Sequence, residues 1–75
     1  IVNVKASIGD NCIINSKALI EHDCQIFEHC HISTNATING GVTVESGCFI
    51  GSGAITKGLI TISKNSFVRA GSLVT

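Results

Sequence analysis

An aliphatic residue recurs at every sixth position from Val2 to Val74, through Ile8, Ile14, Ile20, Ile26, Ile32, Ile38, Val44, Ile50, Ile62 and Val68, and only Thr56 breaks the series. Four places after each stands a second column: Ala6, Cys12, Ala18, Cys24, Cys30, Ala36, Val42, Cys48, Ala54, Ile60, Ser66 and Ser72. These residues are mostly small. A helix with 3.6 residues per turn cannot hold a six-residue apolar period on one face over the whole chain, whereas short β-branched strands joined by tight turns can. One place before each small residue come Lys5, Asn11, Lys17, Asp23, His29, Asn35, Gly41, Gly47, Gly53, Leu59, Asn65 and Gly71. Gly, Asn and Asp dominate there because they tolerate positive φ. Each hexad therefore turns a corner, and three hexads close a triangle of eighteen residues. The sequence predicts an all-β parallel solenoid of about four triangular coils, stacked about 4.8 Å apart by strand pairing.

With 75 residues the chain is one domain at most, residues 1–75, and it buries too little surface to be stable without repetition, association or staples. Five basic residues balance five acidic ones, which argues against nucleic acid or an anionic membrane as partner. The apolar runs are far too short to span a membrane, and "IVNVKAS" lacks the blocks of a signal peptide, so a cytoplasmic protein is expected. The start in mid-pattern without a methionine suggests a piece of something longer.

The densest chemistry lies in "IEHDCQIFEHCHIS", Ile20 to Ser33. Its cysteines belong to the small inward column with Cys12 and Cys48, and their spacings do not bring two thiols to one centre as a metal or redox motif requires. Buried free thiols acting as small apolar residues are expected. Folded modulo eighteen, the residue before each aliphatic forms three lines. Ile1, Leu19, Thr37, Ile55 and Leu73 make one, Ile13, His31, Phe49 and Phe67 a second, and Ser7, Gln25, Thr43 and Thr61 a third. Two corner lines are apolar and one is wet. A three-sided prism with two apolar lines closes most simply as a homotrimer. His29 occupies a turn, His31 lies on the second line, and His22 faces a column continued by Gly40 and Gly58, whose bare backbone would let a thioester-bearing chain approach.

The stretch "LIEHDCQIFEHCHISTNATINGGVTVESGCFIGSGAIT" resembles the hexapeptide-repeat sugar acyltransferases, in the branch of the sialic acid O-acetyltransferases and bacillosamine-type N-acetyltransferases. Glu21-His22-Asp23-Cys24, the second histidine His31, and the glycine-rich run from Gly41 to Ala54 carry the likeness. It implies a left-handed parallel β-helix, a homotrimer, acetyl-CoA as acyl donor in the groove between subunits, and a nucleotide-sugar or amino-sugar acceptor. It assigns His22 as general base, Asp23 as its orienting acid, and His31 near the acetyl group. The backbone at Gly40 would bind the acetyl carbonyl, Gly58 the pantetheine, and Ser52 and Ala70 the pantetheine from a neighbouring subunit. No metal is implied. Phe27, Thr34-Asn35 and Glu45 depart from the family pattern and bear on acceptor choice. Relatives of this branch carry an N-terminal nucleotide-sugar domain and a C-terminal cap, for which 75 residues leave no room.

Two other readings stand beside this one. A catalytically inert trimeric scaffold or gene fragment would keep the repeat and need neither histidine. A zinc protein related to γ-type carbonic anhydrase would need three converging histidines. The intervals of seven and two between His22, His29 and His31 do not fit such a set.

Overall fold

The computed structural model describes residues 1–75 and contains no helix. Its twelve two-residue strands are β1 (Ser7–Ile8), β2 (Ile13–Ile14), β3 (Leu19–Ile20), β4 (Gln25–Ile26), β5 (His31–Ile32), β6 (Thr37–Ile38), β7 (Thr43–Val44), β8 (Phe49–Ile50), β9 (Ile55–Thr56), β10 (Thr61–Ile62), β11 (Phe67–Val68) and β12 (Leu73–Val74). Each pairs with the strand three places on, giving three four-stranded sheets: β1-β4-β7-β10, β2-β5-β8-β11 and β3-β6-β9-β12. All pairing is parallel, and Ser7 opposes Gln25, Gln25 opposes Thr43 and Thr43 opposes Thr61. The register therefore advances one coil every eighteen residues. The result is an all-β solenoid of about four turns, consistent with a left-handed β-helix.

The turns explain why the chain can do this. All twelve residues of the predicted turn column have positive φ, from 55° at Asn11 to 74° at Gly47. That conformation lets the turn amide reach the preceding coil: Asp23 N–H donates to the Val4 carbonyl at 3.1 Å, Gly41 to His22 at 2.9 Å and Leu59 to Gly40 at 3.0 Å. Glycine, asparagine and aspartate adopt it readily, whereas Lys5, Lys17 and Leu59 each carry a penalty of about 1 kcal/mol.

Both inward columns fill the centre. Ile20, Ile26, Ile32, Ile38, Val44 and Ile50 are buried among Ala18, Cys24, Cys30, Ala36, Val42, Cys48 and Ala54. The first and last coils have a neighbour on one side only, so Val2 is 47% exposed although it belongs to the same column. The three outward lines are as the period predicts, but they run up the faces. Each is the first residue of a strand, so the prism's corners fall in the turns between strands.

All four cysteines are free, three of them buried and Cys12 half-buried. Each thiol donates to a carbonyl fifteen residues later: Cys12 to Phe27 at 3.0 Å, Cys24 to Asn39 at 3.0 Å, Cys30 to Glu45 at 3.2 Å and Cys48 to Ser63 at 3.0 Å. Cys12, Cys30 and Cys48 stand one coil apart in one column, with Cys24 at another corner. Burial pushes the Cys30 thiol up from its ordinary value, so its reactive thiolate is scarce. A thiol reagent should accordingly modify no more than Cys12 quickly in the native protein. Cys24, Cys30 and Cys48 should react only as the chain unfolds, and rapid native modification of two or more would contradict this packing.

Candidate functional site

The corner between β3 and β4 carries the sequence "EHDC", Glu21 to Cys24. Cys24 is buried and anchors the corner from inside, and Asp23 takes the positive-φ position. His22, one place earlier, therefore projects outward. Its Nδ1 lies 3.1 Å from Asp23 Oδ2. With both side chains more than half exposed, the pair adds little to stability. Its effect is orientation: the carboxylate accepts the Nδ1–H and leaves the lone pair on Nε2.

One coil on, the imidazole covers Gly40. A Cβ on residue 40 would stand 2.6 Å from His22 Nε2 and 2.8 Å from Cε1, so a larger residue there would displace the ring from this position. Gly58 continues the column, and a Cβ there would lie 3.2 Å from the Gly40 carbonyl oxygen. The amide N–H groups of Gly40 and Gly58 take no partner within the chain, while their neighbours Gly41 and Leu59 bond to the coil before. An imidazole nitrogen with a free lone pair and an unbonded backbone donor thus occur on adjacent coils of one column, the combination that proton abstraction and oxyanion stabilisation both use.

His31 is not part of this corner. It is the first residue of β5, on the sheet opposite the His22 edge. Its ring meets Phe49 edge-on with centroids 5.0 Å apart, and Phe49 stacks on Phe67 at the same separation. Asn15 Nδ2 donates to His31 Nε2 at 3.2 Å, a partner the sequence reading missed. The eighteen-residue register could have supplied it, because Asn15 immediately follows β2, the strand that pairs with β5. Ser52 and Ala70 follow β8 and β11 and occupy the edge between the second and third sheets. So the structure brings His22, Asp23, Gly40 and Gly58 together and leaves His31, Ser52 and Ala70 elsewhere on the same chain.

The third edge is different in character. A shallow groove there is lined by Asp10, Phe27, Glu28 and His29 among others. Hydrogen bonds from backbone and from Ser46 Oγ, the latter 3.0 Å away, hold the Glu28 carboxyl below its ordinary range. His22, His29 and His31 thus occupy two separate edges and a face. No group of three or more His, Cys, Asp or Glu side chains is placed to hold a metal ion.

The family model described as bacterial transferase hexapeptide (six repeats) matches residues 5–40 and again 23–58, together more than half of the chain. Neither a curated protein nor a solved structure gives a significant match.

The geometry at Asp23 has a direct spectroscopic consequence. In its neutral form His22 should carry its proton on Nδ1, read from imidazole ¹⁵N shifts, and Asp23→Asn should move the population toward the Nε2–H tautomer. A wild-type His22 already protonated on Nε2 would refute the arrangement.

Proposed function

Because the chain belongs to the bacterial transferase hexapeptide family, we propose that it transfers an acetyl group from acetyl-CoA to an amine or hydroxyl of a nucleotide-sugar or amino-sugar, with His22 as general base. The observation that carries this reading is the His22 ring, oriented by Asp23 and seated directly on Gly40. His22 Nε2 accepts the acceptor's proton as its nitrogen or oxygen attacks the thioester carbonyl. The free Gly40 N–H donates to the oxygen on which negative charge develops. When the carbon–sulfur bond breaks, the imidazolium returns its proton to the departing thiolate, so no covalent enzyme intermediate is required. Asp23 stabilises that imidazolium and keeps Nε2 aimed at the acceptor.

The bland alternative for His22 is a solvated surface histidine. It leaves unexplained why the residue one coil on is a glycine that only this ring covers. In this proposal His31, Ser52 and Ala70 come from a neighbouring copy, because they stand away from the His22 edge on their own chain. The two apolar faces support association: Ile13, Ile55, Phe67 and Leu73 are all exposed in the single chain. A cyclic homotrimer covers both faces by placing one against the other around the axis. A further domain binding the nucleotide-sugar would complete the acceptor site.

Three copies of the 7.8 kDa chain give roughly 23 kDa. Sedimentation equilibrium at micromolar concentration should return that mass, and a monomer would sink the assembly proposal. In the full protein, His22→Ala should lower acetyl transfer by roughly a hundred- to ten-thousand-fold, the usual contribution of a positioned base. Acetyl-CoA binding should survive, since its contacts are assigned mainly to backbone. Full turnover by His22→Ala with every amino-sugar acceptor tried would leave the inert scaffold as the better reading.

A further inference from the structure

The residue following each inward strand residue donates its amide to the carbonyl of the inward residue one coil on. Glu21 does so to Ile38 at 2.9 Å, Phe27 to Val44 at 2.9 Å, Ser33 to Ile50 at 2.9 Å and Lys57 to Val74 at 2.7 Å. The ladder fails at one place. Asn39 N–H donates instead to Thr56 Oγ1 at 3.1 Å, and the Thr56 carbonyl receives the Asn39 side-chain Nδ2 at 2.7 Å. Pairing between β6 and β9 shrinks accordingly to Thr37 with Ile55, whereas β3 and β6 keep both of their pairs.

Thr56 is the one break in the aliphatic column, and it is fully buried. A hydroxyl in that position costs burial energy that valine or isoleucine would supply, so the sequence gives up core packing at this point. What it gains is a grip on Asn39, the residue immediately before Gly40. The far side of Asn39 is held as well. Its carbonyl accepts the buried Cys24 thiol at 3.0 Å. That carbonyl and the Gly40 N–H belong to the same peptide unit. The unit is trans, like every peptide bond in the chain, so an oxygen turned in toward Cys24 turns the Gly40 N–H outward to the side where His22 lies.

We infer that Thr56 and Asn39, with Cys24, form a clamp that fixes the Gly40 amide as the donor to the acyl carbonyl. Thr56 and Asn39 are then positioning residues, acting through the backbone of Gly40 without touching substrate. The functional consequence rests on the acetyltransferase reading given above, while the clamp itself is a property of the unliganded chain.

The test uses the full-length protein with acetyl-CoA and with CoA as probes. Thr56→Val replaces the hydroxyl by a methyl of similar size, restores the aliphatic column and frees the Thr56-type ladder bond to form, so it should melt at or above the wild-type temperature. It should nevertheless displace the Gly40 amide resonance in the unliganded protein. It should also lower kcat about tenfold with KM for acetyl-CoA changed less than about twofold, a smaller loss than deleting a donor outright. Thr56→Ser keeps the oxygen and should retain wild-type kcat and Gly40 shift. A Thr56→Val protein with an unmoved Gly40 resonance and wild-type kcat would overturn the clamp. The wild type judges the underlying reading separately: a Gly40 resonance that responds identically to acetyl-CoA and CoA would remove the carbonyl contact. A displaced Gly40 resonance in unliganded Thr56→Val would still uphold the clamp.

Discussion

The bond from a left-handed turn amide to the coil before it is the constraint on which this structure depends. A two-residue strand is too short to be stable alone, and each sheet exists only because every third strand lands in register on the last. The landing is set at the corners. Positive φ at residues such as Asp23, Asn35 and Gly41 turns the amide toward the preceding carbonyl, and the neighbouring small residue lets the corner close over the core. If one corner slipped by a residue, the inward isoleucine of the following strand would face solvent. The period is therefore unbroken through all twelve turns.

The same geometry lays out the candidate site. In each corner the residue before the positive-φ position keeps its amide out of the backbone ladder, and only at Lys64 does that amide find a partner in the chain, the Glu45 carboxylate at 3.1 Å. Most such places carry ordinary solvated side chains. At the edge after β3 they carry His22, then Gly40, then Gly58, so one imidazole lies over a strip of open backbone. A base, a backbone donor and a path for an extended substrate come from one column of the repeat. The edge after β8, with Ser52 and Ala70, has the same backbone but no comparable group.

Thr56 shows how far local irregularity can be read. The sequence marks it as the lone polar residue in the aliphatic column, yet the period gives no reason for it. Only the tertiary structure shows that its hydroxyl takes the amide that its own carbonyl would otherwise receive, and that Asn39 fills the gap with its side chain. The displaced bond adjoins the glycine beneath His22. Asn15 is a similar case, since its contact with His31 follows from register but depends on side-chain reach.

Coil length, inward columns, buried thiols and the identity of the three outward lines follow from the sequence alone, because a strict six-residue period admits one way of stacking that keeps aliphatic residues inside. The placement of His22 opposite Gly40 was legible for the same reason: the two are one coil apart. What only the tertiary structure decided is which groups share an edge. His22 and His31 are nine residues apart in a motif that reads as one unit, but half a coil separates them around the prism, and the core lies between the His22 edge and the β5 face. Sequence distance measures progress along the chain, and in a solenoid direction around the axis changes with every hexad, so nearness in the motif did not become nearness in space.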